Sequence, residues 1–104
     1  MALFHNYYVY ILRCSDESYY TGLTNNLERR LKEHASGENI KSYTYQRRPI
    51  KLMYVGHFVD INTAIAFEKQ VKGWSRKKKE ALFEENWTEI VRLSNLKQSS
   101  TRSN

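Results

Sequence analysis

The sequence predicts a small α/β or α+β fold in which three strands form a sheet flanked by helices, in the order β-β-α-β-α-α-α. Three segments, 7–13, 19–23 and 52–58, are rich in the β-branched, aromatic and aliphatic residues typical of strands. Capping residues and apolar stripes at helical spacing follow the second and third segments. A chain of 104 residues suits one domain, which we place at 1–96, with 97–104 as a disordered polar tail.

The first two strands are predicted to form an antiparallel hairpin, with the first strand at the centre of the sheet. Residues 7–13 are apolar or aromatic almost throughout, which is typical of a strand covered on both faces. Residues 14–18 are turn formers, and residues 19–23 continue as the second strand. Gly22 near the end of that strand permits another group to approach the backbone closely.

Four helices are predicted from N-cap residues and from the spacing of apolar side chains. They are 26–35 after the N-cap Asn25, 61–74 after Asp60, 76–85 after Ser75, and a last helix from Asn86 to about Leu96. Glu28 lies three residues after Asn25, as in a capping box, and Gly37 follows the first helix where a left-handed residue often ends it. Residues 38–49 form a polar, basic loop before the third strand.

The charge and the cysteine content restrict the function classes. The formal net charge is +6, which favours a polyanionic partner such as nucleic acid over an inert basic surface. The single cysteine, Cys14, excludes an internal disulfide framework and zinc sites built from cysteine pairs. Because the sequence has neither a signal-peptide pattern nor an apolar run long enough to span a bilayer, we expect a cytoplasmic protein with no membrane association.

Glu68 is an acidic residue at an apolar position of the second predicted helix. At about 100° per residue it falls within the stripe formed by Ala64, Phe67 and Val71. A carboxylate at such a position must be paired, bind a cation or line a cleft. From the helix alone, a structural salt bridge is the simpler explanation.

Arg30 and His34 are the corresponding polar residues of the first predicted helix. Arg30 borders the apolar stripe, whereas Arg29 points away from it towards solvent. His34 lies four residues after Arg30 and therefore faces the same way. A salt bridge from Arg30 to Glu33 or Glu68 and a partly buried, hydrogen-bonded His34 are the alternatives that the helix alone leaves open.

Two tyrosine-containing triplets resemble those that name the GIY-YIG nuclease superfamily. Tyr8-Val9-Tyr10 resembles the first triplet and Tyr20-Thr21-Gly22 the second, with Tyr10, Tyr20 and Gly22 in the family's tyrosine and glycine positions. Arg30 follows Gly22 by eight residues, as the family's catalytic arginine does, and His34 matches a histidine found one turn later. Glu68 matches the glutamate that binds the metal. The resemblance covers about residues 6–84 and is closest to the small stand-alone bacterial members.

The resemblance implies a GIY-YIG fold, with a three-stranded antiparallel sheet, and a metal-dependent endonuclease that hydrolyses phosphodiester bonds in DNA. Similar segments in nucleases that cut branched DNA imply structure-specific cleavage linked to DNA repair or recombination. Glu68 would hold one Mg²⁺ or Mn²⁺ ion, and Arg30 would brace the phosphate oxygens. Tyr10 would take the proton of the attacking water, Tyr20 would orient Tyr10 or contact the phosphate, and His34 would relay a proton or bind phosphate.

Basic and aromatic residues outside the motif are expected to bind the nucleic acid. They are Lys41, Tyr43, Arg47 and Arg48 in the loop, and Arg76, Lys77, Lys78 and Lys79 at the start of the third helix. Since cutting both strands needs two encounters or a dimer, a homodimer or another protein partner is a further expectation. Two alternatives to the nuclease are a nucleic-acid-binding module without cleavage activity and a small interaction protein that docks an acidic partner.

Overall fold

The structure is a computed structural model that describes residues 5–39 and 41–102. The strands and helices follow the predicted order, with one added 3-10 turn in the basic loop. The elements are β1 Tyr7–Arg13, β2 Tyr19–Thr24, α1 Leu27–Ser36, the 3-10 turn Tyr45–Arg47, β3 Lys51–Phe58, α2 Ile61–Lys72, α3 Arg76–Phe83 and α4 Trp87–Arg102. The predicted α+β fold with a three-stranded sheet and flanking helices is confirmed.

The sheet is antiparallel throughout and has the order β2-β1-β3, so β1 is central as predicted. In its register, Tyr10 lies opposite Gly22 on one side and opposite Val55 on the other. Ile11 lies opposite Tyr54, with a bulge immediately after it. Directly opposed residues point to the same face of a sheet, so Tyr54 shares the face of Ile11. Tyr10 precedes Ile11 in the strand and therefore points to the opposite face.

The two faces of the sheet are covered by different helices. On the face of Tyr10, α1 contributes His34, whose ring lies 5.8 Å from the Tyr10 ring. On the other face, α2 contributes Phe67, whose ring lies 6.4 Å from that of Tyr54 and 5.2 Å from that of Phe58. The middle of β1 is therefore fully buried, as expected for a strand covered on both sides.

The first helix begins one residue later than predicted. Its N-cap is Asn26, whose Oδ1 accepts a hydrogen bond from the backbone N–H of Arg29 at 3.1 Å. The N–H of Asn26 is itself bonded to Thr24 Oγ1 at 3.0 Å, so Asn25 lies in the turn instead of capping the helix. The predicted capping box is consequently wrong, since Glu28 occupies the second helical position. The left-handed cap at Gly37 is confirmed, with φ of 73°.

The chain forms two compact units, Met1–Lys72 and Gly73–Asn104. The first ends with α2, which Asp60 caps by accepting from the N–H of Thr63 at 2.8 Å. α2 stops at Lys72, two residues before the predicted end, because Gly73 follows and glycine is a poor helix former. A single domain over 1–96 stays a prediction.

The second unit consists of two helices that pack against each other. Ser75 caps α3 and Asn86 caps α4, as predicted, by accepting from the N–H groups of Lys78 and Glu89. In the structure α4 continues through residues 97–102, and the predicted disordered tail over 97–104 stays a prediction. That segment contains neither proline nor glycine, so nothing in it breaks the helix. Its last two predicted residues lie outside the described part.

None of the helices in the described part of the chain is both long and apolar enough to cross a membrane.

Candidate active site

A buried hydrogen-bonded chain connects the hairpin, the first helix and the basic loop. The Tyr10 hydroxyl lies 2.9 Å from His34 Nε2, and His34 Nδ1 lies 2.7 Å from Thr44 Oγ1. Tyr10 and Thr44 are fully buried, and His34 is nearly so. These polar groups have little or no exposure to bulk water, so their mutual hydrogen bonds fix the positions of all three side chains.

Tyr10 is held in its protonated form. Burial is the largest cause that raises its pKa to about 12, and the neighbouring Tyr20 raises it further. The nearby Arg30 guanidinium acts in the opposite direction and lowers the pKa of Tyr10, whereas Glu33 adds to the rise. At neutral pH the Tyr10 phenol therefore keeps its proton and can donate it in a hydrogen bond.

Burial of His34 is expected to make folding stability depend on pH. Burial is the largest cause that lowers the pKa of His34, the charge of Arg30 lowers it further, and Glu33 raises it. Below the ordinary value of 6.5 the unfolded chain binds a proton that the folded chain resists, so the free energy of unfolding falls as the solution is acidified.

This dependence can be measured by chemical denaturation at several pH values from about 7.5 down to about 5. The His34→Gln variant should show a shallower dependence than the wild-type protein. Equal slopes for the two proteins would mean that His34 does not carry the effect.

A cavity of about 300 Å³ opens beside the buried chain. It is lined by Tyr20, Arg30, Glu33, His34, Asn39 and Ser42. The guanidinium Nε of Arg30 lies 3.1 Å from Glu33 Oε1, and both side chains are about one third exposed. The structure thus brings together four of the predicted site residues: Tyr20, Arg30 and His34 at the cavity, and Tyr10 through its hydrogen bond to His34.

The Tyr20 ring is held by a series of aromatic and cationic contacts. It meets His34 edge-on at 5.2 Å and stacks on Tyr43 at 5.8 Å. The guanidinium of Arg47 lies 4.0 Å above the Tyr43 ring and pairs through Nε with Asp16 Oδ2 at 3.0 Å. The basic loop is therefore bonded to the turn of the hairpin through Arg47, and its Tyr43 ring packs against Tyr20.

These contacts bear on the predicted nucleic-acid binding by the loop residues. Arg47 and Arg48 each donate to a backbone carbonyl of the loop and lie over the rings of Tyr43 and Tyr45, respectively. A nucleobase that stacks on the Arg47-covered face of Tyr43 would have to displace Arg47. Nucleic-acid binding by Arg47, Arg48 and the exposed Lys41 stays a prediction.

The basic residues of α3 also have contacts within the second unit. Arg76 pairs with Glu80 at 3.2 Å, and the Lys78 ammonium lies 4.5 Å from the centre of the Trp74 ring. Burial lowers the pKa of Lys79. Lys77 lines a separate cavity of mixed charge. Their contribution to nucleic-acid binding likewise stays a prediction.

Glu68 does not line the cavity that contains Arg30 and His34. It lies on α2, one residue after Phe67, and its Oε2 pairs with Lys72 Nζ at 3.0 Å. The Glu68 side chain is 17% exposed, in accordance with its predicted position within the apolar stripe. A salt bridge is the explanation that the helix pattern alone favours for Glu68, and a role of Glu68 as metal ligand stays a prediction.

Gly22 provides the space for the Tyr10 ring. A methyl group added at Gly22 would overlap the ring carbon Cζ and the hydroxyl of Tyr10, which lies directly opposite in the register. The absence of a side chain here is thus a requirement of the site, as the sequence predicts for a close approach to the backbone.

Replacing Gly22 with alanine is expected to destabilise the protein by about 1–3 kcal/mol, because a fully buried ring cannot move aside without repacking. The Tyr10–His34 hydrogen bond should be lost at the same time. Denaturant unfolding measures the first effect, and a change in the His34 ring resonances by NMR measures the second. An alanine variant with wild-type stability and resonances would contradict this role.

Four residues near the cavity were not predicted from the sequence as site residues. Glu33 lies three residues after Arg30, and this spacing already places both side chains on one side of the helix. Asn39, Ser42 and Thr44 belong to a loop without periodicity, so no sequence pattern indicates that they reach the site.

Comparisons with known proteins identify the family of this chain. Residues 6–81 match the family described as the GIY-YIG catalytic domain. A UPF0213 protein from Bacillus pumilus is 46% identical over 81 residues, which cover 78% of this chain and 82% of the relative. A UPF0213 protein from Haloquadratum walsbyi is 46% identical over 79 residues, covering 76% and 88%.

Two solution NMR structures share the fold. The UPF0213 protein from Bacillus halodurans is 46% identical, with a TM-score of 0.51, and the match covers 76% of this chain and 83% of that one. A protein from E. faecalis is 36% identical, with a TM-score of 0.55 and coverage of 80% and 85%. With the matched domain, the relatives and the shared fold in agreement, this chain belongs to the GIY-YIG nuclease family and resembles its small UPF0213 members.

Proposed function

We propose that the protein is a divalent-metal-dependent endonuclease that hydrolyses phosphodiester bonds in DNA. The observation that carries this proposal is the cavity in which the Arg30 guanidinium lies beside Tyr20 and His34, with Tyr10 hydrogen-bonded behind them. An arginine fork binds phosphate oxygens, and a tyrosine–histidine pair moves a proton. Phosphodiester hydrolysis needs both activities in one place.

Arg30 is the phosphate-binding group of this proposal. Its guanidinium pairs with Glu33 and is about one third exposed, so a phosphate that enters the cavity can exchange places with the Glu33 carboxylate. Two adjacent donors of the fork can then contact the non-bridging oxygens. The positive charge offsets the negative charge that develops on the phosphate as water attacks.

Tyr10 and His34 together accept the proton of the attacking water. With a pKa raised to about 12 by burial, Tyr10 is not a phenolate at neutral pH and cannot act as a base by itself. Its oxygen can accept a proton only as its own hydroxyl proton passes to His34 Nε2, 2.9 Å away. The pKa of His34 is lowered by burial, so its imidazole is neutral and able to accept.

Glu68 is the residue that would hold the divalent ion. Its donor chemistry fits: a single carboxylate suffices for Mg²⁺, which prefers oxygen ligands and keeps several of its waters. Only Oε2 is engaged in the pair with the half-exposed Lys72. When bound, the ion would supply positive charge to offset the negative charge of the phosphate.

Incubation of the purified protein with linear and branched DNA, with and without Mg²⁺ or Mn²⁺, tests the proposal. We expect metal-dependent cleavage, strongest on branched DNA if the protein acts in repair or recombination. Matched RNA substrates decide between the two nucleic acids, and a second-order dependence on protein concentration would indicate a homodimer. Salt-sensitive binding without cleavage of any substrate would instead favour a nucleic-acid-binding module.

A further inference from the structure

Thr44 is the one buried member of the hydrogen-bonded chain to which the proposed chemistry gives no task. It lies in the basic loop, ten residues after His34, and is fully buried. Its Oγ1 lies 2.7 Å from His34 Nδ1 and 3.3 Å from Ser42 Oγ. A hydroxyl in this position can either donate to Nδ1 or accept from it. The choice decides whether Nε2, the nitrogen that faces Tyr10, carries a proton.

The direction of these hydrogen bonds is set at Tyr10. Its neutral, fully buried hydroxyl needs an acceptor for its proton, and the partner that the described residues place within reach is His34 Nε2, at 2.9 Å. Nε2 must then be unprotonated, and a neutral imidazole carries its proton on the other nitrogen, Nδ1. The Nδ1–H donates to Thr44 Oγ1.

The hydrogen bond between Thr44 and Ser42 is consistent with the same direction of donation. Since Thr44 Oγ1 accepts from His34, the Thr44 hydroxyl proton is available for Ser42 Oγ. Ser42 lines the cavity, where its own hydroxyl can donate to water or to a ligand. Each donor from Tyr10 to Ser42 is thereby used once, and no two protons point at each other.

We propose that Thr44 is a positioning residue that holds neutral His34 in its Nδ1–H tautomer, so that Nε2 faces Tyr10 as a proton acceptor. The consequence for catalysis rests on the proposed nuclease function. As the Tyr10 oxygen takes a proton from water, the Tyr10 hydroxyl proton moves to Nε2. The product is hydroxide, neutral Tyr10 and an imidazolium whose Nδ1–H remains on Thr44.

The neutral imidazole is then restored by the reverse path. The Nε2 proton returns to the Tyr10 oxygen, 2.9 Å away, as the Tyr10 hydroxyl passes a proton to water, which returns the neutral Nδ1–H form. Thr44 accepts the same Nδ1–H before and after the transfer, so the imidazole does not have to rotate. In the opposite tautomer Nε2 would already carry a proton and could not accept another.

The tautomer can be observed directly by NMR in protein labelled with ¹⁵N-histidine, with His34 assigned from its absence in His34→Gln. We expect Nδ1 to be protonated and Nε2 unprotonated in the wild-type protein and in Thr44→Ser, which keeps the hydroxyl. Thr44→Val, which removes it at nearly constant volume, should populate the Nε2–H form. A wild-type protein with Nε2 protonated, or a valine variant with an unchanged tautomer, would overturn the proposal.

Cleavage at neutral pH provides a second readout. The cleavage rate of the valine variant should fall by at least ~10-fold, which is part of the ~10²–10⁴-fold that general acid–base catalysis contributes. The serine variant should recover most of the lost rate. Equal losses in both variants would indicate a packing role for Thr44 and count against the proposal. If no protein cleaves DNA, the nuclease function fails, while the NMR result still decides the tautomer. If the valine variant does not fold, the wild-type and serine spectra decide it.

Discussion

Replacing Arg30 with alanine is expected to lower DNA cleavage by about 10²–10³-fold, which is the usual cost of removing one preorganised group that stabilises developing negative charge. The Arg30 guanidinium lines the cavity and its positive charge acts on the Tyr10 phenol, so its loss removes the proposed phosphate contact and a positive charge near the buried tyrosine. Single-turnover cleavage with saturating DNA measures the chemical step separately from binding.

Arg29 is a closely matched control for this substitution. It is the preceding residue of the same helix and pairs with the same carboxylate, Glu33, at 3.7 Å, but its side chain is 60% exposed against 36% for Arg30. Arg29→Ala should therefore leave the single-turnover rate within about twofold, since exposed ion pairs contribute little. Equal losses for the two alanine variants would mean that the basic surface of α1, and not a specific phosphate contact, supports cleavage.

Arg30→Lys separates the charge of Arg30 from its geometry. Lysine keeps the positive charge but loses the planar fork, so an intermediate rate is expected if the two-donor contact matters. A lysine variant that cleaves as fast as the wild-type protein would show that a point charge is sufficient. The melting temperature of each variant reports whether Arg30, through its pair with Glu33, also supports the fold.

The strands and helices could be predicted because their signals are local. Residues 7–13 read as a central strand since a strand covered on both faces needs apolar side chains on both. The helix starts at Asp60 and Ser75 were found because a capping side chain acts on a backbone group only a few residues away. The start of α1 was missed by one residue because Asn25 and Asn26 are both good caps, and Thr24 decides between them through its own hydrogen bond.

Only part of the site could be predicted, because only part of it is formed by residues that are close in the sequence. Tyr10, Tyr20, Arg30 and His34 belong to two consecutive supersecondary elements, so their resemblance to a known motif also predicts that they are close in space. Thr44 is different, because its place depends on how a loop folds back over α1. The basic and aromatic residues of this loop predict a nucleic-acid surface, but composition alone does not indicate that Arg47 pairs with Asp16 and lies over the Tyr43 ring.

Glu68→Ala is expected to abolish metal-dependent cleavage while leaving DNA binding largely intact. The reason is chemical: if Glu68 supplies the protein's carboxylate to a hydrated Mg²⁺ or Mn²⁺, no other ligand replaces it, whereas the residues that bind phosphate are unchanged. Stability should change little, because the Glu68–Lys72 pair is of the i,i+4 type, with Lys72 55% exposed, and such pairs contribute about 0.3–0.5 kcal/mol. Cleavage, DNA binding and denaturant unfolding of the same preparation measure the three quantities.

Glu28→Ala is the matched control, since it removes the carboxylate of another i,i+4 pair, the one with Lys32 at 3.3 Å, from the exposed side of α1. It should bind Mn²⁺ and cleave DNA as the wild-type protein does. Glu33→Gln tests the competing ligand, because Glu33 lines the cavity beside Arg30 and Glu68 does not. Titration of Mn²⁺ by electron paramagnetic resonance separates the two carboxylates directly. Metal binding that survives in Glu68→Ala but is lost in Glu33→Gln would move the ion to the cavity and leave Glu68 with its salt bridge alone.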